Sequence, residues 1–234
     1  MALPFLAFGQ LLLLGWGLGA GMQIDSDDPN KIRLPLAIRV ILSLSLVLAA
    51  FLISLSLQNT VSWLVLLGMS FSFLGDLFNA GVIPLPVPLT GGMIAFSAAH
   101  FCYISAFYFL LEPADSLNHA FFWPILAAIW LVTAIFWRLF IFNPKRIPFL
   151  NAGSLLYALL IGAMVTFTCI VGLRLGDWWW STFFGALLFY ISDTIIGITD
   201  IGKVSMKRPY LWIWLTYVLG QMGIIYGVWL GFIM

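Results

Sequence analysis

Val40-Ile-Leu-Ser-Leu-Ser-Leu-Val-Leu-Ala-Ala-Phe-Leu-Ile-Ser-Leu-Ser-Leu57 runs for 18 residues without a charge. A hydrocarbon layer about 30 Å thick takes roughly 20 such residues in a helix rising 1.5 Å per residue, so the stretch reads as a membrane span. Working outward, it belongs to an apolar segment over 35–57, and seven more follow the same pattern at 3–21, 61–80, 90–111, 121–142, 150–172, 178–199 and 209–233. The 234 residues are 63% hydrophobic and 8% charged, with a mean hydropathy of +1.09, more apolar surface than a soluble core absorbs. β-Barrel spans alternate polar and apolar residues over ~10-residue segments, and that pattern is absent. The expected fold is therefore all-α: one integral membrane domain over 1–234 with about eight transmembrane helices.

The links are too short to hold a second domain. They include Asp25-Ser-Asp-Asp-Pro-Asn-Lys31, Ile83-Pro-Leu-Pro-Val-Pro88, Glu112-Pro-Ala-Asp115, Asn143-Pro-Lys-Arg146 and Lys203-Val-Ser-Met-Lys-Arg-Pro209, where proline and asparagine favour turns. The first segment, Leu3 to Gly21, lacks the basic leader of a signal peptide and reads as a retained helix. A net charge of +1 with no long basic run gives nucleic acid nothing to bind. Cys102 and Cys169 stand in separate apolar segments without metal or redox spacing.

Cytoplasmic loops retain Lys and Arg. Nine of the ten basic residues (Lys31, Arg33, Arg39, Arg138, Lys145, Arg146, Lys203, Lys207, Arg208) fall on the side of links one, three, five and seven, with Arg174 opposite. Both termini are thus expected on the non-cytoplasmic side; a bacterial inner membrane and a eukaryotic endoplasmic reticulum both fit, and the compact loops favour the bacterial one. Phe73-Leu-Gly-Asp76-Leu and Tyr190-Ile-Ser-Asp193-Thr resemble each other at an offset of 117, half the chain. A shift of four helices preserves direction, so the pair points to a 4+4 parallel repeat.

An ionisable side chain in the bilayer costs roughly 3 kcal/mol, so each needs a reason. Three stand deep in apolar runs: Asp76, His100 and Asp193, with the uncharged Gln221 as a fourth. Helical spacing extends their faces through Asn79, Tyr103, Tyr190 and Tyr217 into stripes that one wet cavity would gather. Each residue alone also has a structural explanation, as an interhelical hydrogen-bonding group or, for the aspartates, one reaching headgroup water. Asp76, Asp193 and His100 match a metal-ligand type, but no close-spaced pair supports it, and His119 lies in a link near the other face; neither metal nor cofactor is expected. The Trp178–Trp180 run, Trp212 and Trp214 read as interface anchors, and Gly162, Gly185 and Gly197 as close-packing points.

Four segments in this order, Gly68-Met-Ser-Phe-Ser-Phe-Leu-Gly-Asp76, Phe96-Ser-Ala-Ala-His100-Phe-Cys-Tyr103, Gly185-Ala-Leu-Leu-Phe-Tyr-Ile-Ser-Asp193 and Tyr217-Val-Leu-Gly-Gln221, resemble the YhhN or lysoplasmalogenase family. Ala99 departs from the glycine that many relatives carry before the histidine. The resemblance implies hydrolysis of a lysoplasmalogen's vinyl ether to a fatty aldehyde and glycerophosphocholine or glycerophosphoethanolamine. It places Asp76, Asp193, His100 and Gln221 at the family's motif positions.

Vinyl ether cleavage begins by protonating an alkene carbon, which leaves an oxocarbenium ion for water to capture. It therefore needs an acid and a nearby negative charge, as glycosidases do. Asp193 is assigned as the acid, Asp76 as cation stabiliser or base, and His100 as orienting one of them or the water, an assignment that reverses readily. Asn79, Tyr103, Tyr190, Tyr217 and Gln221 are candidates for contacts around the substrate, a lysophospholipid drawn from membrane lipid. Lys203, Lys207 and Arg208 are offered for its phosphate. A proton- or cation-coupled transporter or lipid scramblase would use the same carboxylates, and would need a polar path to both faces. A non-catalytic scaffold or receptor would leave them unused. Oligomeric state has no signal in the sequence.

Overall fold

A computed structural model describes residues 2–23, 33–111 and 120–234. The links at Asp25–Lys31 and Glu112–Asp115, and His119, lie outside them. Of the described residues 85% are helical, and none lies in a strand. Helices dominate because, without water in the hydrocarbon, every backbone N–H and C=O must find a partner within its own segment. They are α1 (Ala2–Gln23), α2 (Leu36–Leu57), α3 (Thr60–Asn79), α4 (Pro88–Leu111), α5 (Phe122–Phe136), α6 (Pro148–Leu175), α7 (Trp179–Ile196) and α8 (Pro209–Ile233). Helix α5 continues into a π-helical turn at Trp137–Ile141, and α7 into another at Gly197–Ile201. All eight are long and apolar enough to cross a membrane, and their ends fall within three residues of the apolar stretches read from the sequence.

Local chemistry closes the turns. Gln58 adopts the left-handed conformation (φ 51°) at the end of α2, and its N–H returns to the Ser54 carbonyl at 2.9 Å. The Asn59 side chain then caps α3 by accepting from the Ser62 N–H at 2.9 Å. Proline opens α6 and α8 in their first turns, where its missing N–H has no partner to lose.

Helix α8 is the most buried of the spans, with 67% of an 18-residue apolar stretch buried against 11% for that of α5. Its glycines allow this: a Cβ on Gly185 of α7 would stand 2.6 Å from the Ile224 nitrogen and 2.7 Å from the Gly220 carbonyl, so the backbones of α7 and α8 touch. Peripheral α1 is pinned by buried Gln10, which donates to the Ser45 hydroxyl (3.2 Å) and accepts from Tyr226 (3.0 Å).

Neighbouring helices follow a shift of four. The tightest pairs are α3–α4 and α7–α8; α2–α3 is matched by α6–α7, α1–α2 by α5–α6, and α4–α6 by α8–α2. Individual contacts follow the same offset of 117. Gly68 against the Tyr103 ring maps onto Gly185 against Gly220, and Gly75 against Phe96 onto Ser192, whose hydroxyl donates to the Ile213 carbonyl. This is the arrangement of a 4+4 parallel repeat.

Two of the expected tryptophan anchors turn inward instead. Trp179 is buried against Gly231 and Phe232, and Trp214 is buried beside Tyr217. Tight α7–α8 contact takes them from the interface, whereas Trp178 and Trp212 stay exposed.

Candidate active site

Gly75 lets the Phe96 ring lie against α3, one residue before Asp76. Asp76 Oδ2 accepts hydrogen bonds from Ser43 Oγ of α2 (2.5 Å) and from the Tyr217 hydroxyl of α8 (2.6 Å). Across the repeat, Asp193 Oδ2 accepts from the Tyr157 hydroxyl of α6. Each carboxylate thus takes a hydroxyl from the helix preceding its own in sequence.

His100 is fully buried, edge-on to Phe189 with ring centroids 4.8 Å apart. Its Nε2 lies 3.4 Å from the Tyr157 oxygen and its Nδ1 3.4 Å from Met164 Sδ, so it reaches Asp193 through Tyr157. Tyr217 stands 117 residues after His100, so the helix-four position of each half faces the other half's aspartate, directly for Asp76 and through Tyr157 for Asp193.

Both aspartates line one cavity of about 450 Å³. Its wall draws on Arg33 before α2 and Arg39 in its first turn, Asn79 at the end of α3 with Ala80 after it, the start of α4, Arg146 before α6, Asp200 in the turn after α7, and the first half of α8 (Tyr210, Trp214, Tyr217). These chain positions flank links one, three, five and seven, the basic side. A narrow slot of about 50 Å³ shares Asn79, Leu89, Phe96, Asp193 and Ile196 with the cavity and continues between Met93, Phe136, Ile141 and Tyr157. Residues of both π-helical turns, Trp137, Ile141, Gly197 and Ile201, line the slot; such turns often mark functional sites. Beyond it, Met93 and Tyr157 also border an open apolar groove of about 570 Å³ between α4 and α6.

The residues singled out from the sequence divide into three groups. Asp76, Asp193, Asn79 and Tyr217 stand on the cavity wall. Tyr190 lines the slot, with its hydroxyl 2.8 Å from Thr133 Oγ1 of α5. Tyr103 donates to Gln221 Oε1 at 2.8 Å; both are fully buried and off the cavity wall, as is His100. Lys203, Lys207 and Arg208 are also off that wall. Among the described residues no three His, Cys, Asp or Glu side chains gather as a metal site.

Several polar participants did not emerge from the sequence, among them Ser43, Tyr157, Arg39 and Asp200. Ser43 and Tyr157 looked like ordinary members of apolar helices. Arg39 reads as a topology charge along the chain, yet it falls inside α2, four residues before Ser43 and so on the same face, which is the available signal. Asp200 falls one residue past the apolar stretch 178–199, but α7 runs on through its π-helical turn to Ile201. Charged residues within the spans therefore exceed the three expected.

The model of the YhhN family matches residues 35–228. No curated protein and no solved structure matches the chain.

Proposed function

The chain belongs to the YhhN family, and from that premise we propose that it is a lysoplasmalogenase, adding water to a lysoplasmalogen's vinyl ether to release a fatty aldehyde and glycerophosphocholine or glycerophosphoethanolamine. The observation that carries this reading is the pair of carboxylates on the wall of one cavity, between a basic mouth and an apolar slot. A substrate with a charged head, a reactive ether and a long chain presents that order of chemistry.

Asp193, which borders the slot, protonates the alkene carbon remote from the oxygen. Charge develops on the adjoining carbon and ether oxygen, and Asp76, held as an acceptor by Ser43 and Tyr217, stabilises it. Water adds at the carbon bearing the oxygen and gives a proton to Asp76. The hemiacetal then breaks its bond to the glycerol oxygen, which receives the proton from Asp76, while the hemiacetal hydroxyl returns a proton to Asp193. One water is consumed and both carboxyl groups are restored. Tyr157 orients Asp193, and His100 acts behind Tyr157 as a positioning residue.

The transporter alternative needs a polar path to the far face. Toward the interior from the aspartates, His100, Tyr103 and Gln221 are fully buried, which supports a blind enzyme cavity. Aldehyde release from a lysoplasmalogen by purified protein in detergent is the test. Asp76→Asn and Asp193→Asn each lower the rate about 100-fold or more, the scale of acid–base catalysis, and chelator leaves it unchanged. No aldehyde from folded wild-type protein overturns the reading and favours transport.

A further inference from the structure

Three of the chain's ten basic residues line the cavity that holds both aspartates, and they come from three places: Arg33 before α2, Arg39 in its first turn, and Arg146 in the link before α6. One acceptor pair arranges two of them. The Tyr210 hydroxyl donates to Asp200 Oδ1 at 2.9 Å, the Arg33 guanidinium carbon sits 4.0 Å from the centre of the Tyr210 ring, and Arg146 Nη2 donates to the Asp200 backbone carbonyl at 2.9 Å. Asp200 therefore orients Arg146 through its main chain while Tyr210 occupies an oxygen of its carboxylate. Arg39 Nε is buried without a hydrogen-bond partner. A buried, unsatisfied cationic donor is costly, and an anion in the cavity would relieve it.

We propose that Arg33, Arg39 and Arg146 form a phosphate subsite at the cavity mouth, built for the phosphodiester of a glycerophospholipid head group. Guanidinium groups suit it, because their planar donors match phosphate oxygens in pairs. The order along the cavity does the rest: arginines, then carboxylates, then apolar slot, the order of phosphate, ether and chain in a lysophospholipid. This rests on reading the cavity as a lipid hydrolase site. It assigns the phosphate to residues other than Lys203, Lys207 and Arg208.

The test measures binding apart from turnover. Calorimetric titration in detergent compares a saturated 1-O-alkyl-glycerophosphoethanolamine, which has no alkene to cleave, with the phosphate-free 1-O-alkylglycerol of the same chain. Wild-type protein binds the phosphate-bearing lipid about tenfold tighter or better, the equivalent of ~1.4 kcal/mol. Arg39→Gln and Arg146→Gln bring the ratio close to one, while Lys145→Gln, an exposed neighbour off the wall, keeps it. Equal affinities in wild-type protein overturn the proposal whatever the variants do, and so does a ratio that survives both arginine substitutions. Inorganic phosphate binding as tightly as the ether lipid overturns the lipid source. If the preference holds and no aldehyde forms from a lysoplasmalogen, the subsite stands and the hydrolase reading falls.

Discussion

Ser43, Tyr157 and Tyr217 are neutral donors, and their arrangement separates the two carboxylates. Asp76 takes two hydrogen bonds on one oxygen, Asp193 one from a tyrosine that also faces His100. Under the proposed mechanism Tyr157→Phe leaves Asp193 in place but unoriented. Its expected effect is a fall in kcat of about tenfold or more with KM little changed, read from aldehyde kinetics on protein that elutes as folded wild type. Tyr103→Phe makes the opposite prediction. It strips the partner from buried Gln221 Oε1 without touching the cavity, so thermal unfolding in detergent shows a loss of about 1 kcal/mol while kcat stays near wild type.

Among the elements, α7 and α8 meet backbone to backbone, and Asp193 and Tyr217 are carried on that pair. Gly185 admits no side chain, since the nearest α8 atoms are main chain and cannot rotate away. Gly185→Leu is expected to destabilise by about 1–3 kcal/mol through overpacking and to lower the melting temperature by several degrees. Gly15→Leu, on the exposed face of α1 with nothing within 4 Å of its Cβ, is expected to leave it unchanged. A drop in both variants to the same degree would make the effect a matter of leucine rather than of the α7–α8 seam. The π-helical turns were illegible in Trp137–Ile141 and Gly197–Ile201, where Gly197 meets Ile141 across two helices.

At the scale of the molecule, the cavity is lined by residues that flank links one, three, five and seven in the chain, the links on whose side the sequence puts nine of its ten basic residues. By the positive-inside tendency we propose that this is the cytoplasmic face, with both termini on the other side. In a background with Cys102 and Cys169 replaced, a membrane-impermeant thiol label is expected to reach Lys145→Cys from the cytoplasmic side alone and Asp177→Cys from the opposite side alone. The reverse pattern would invert the orientation and place the phosphate subsite in the outer leaflet. The 4+4 repeat was legible only as the Phe73–Leu77 and Tyr190–Thr194 likeness. Its larger part is spatial, since contacts such as Gly75–Phe96 and Ser192–Ile213 share a position but no residue type.

Composition and hydropathy alone determined the eight spans and their ends to within three residues, because in hydrocarbon the backbone has to bond within its own helix and length is set by bilayer thickness. Asp76 and Asp193 were legible for a related reason: a carboxylate in an apolar run stands out. Tertiary structure decided which groups meet them. Ser43 and Tyr157 carry no charge to betray them, and their roles follow from the rotation of α2 and α6 about their own axes, which interhelical packing sets. The arginine mouth arises in the same way. Arg33, Arg39 and Arg146 are topology charges when read along the chain, and become one site only where the ends of α2, α6, α7 and α8 converge.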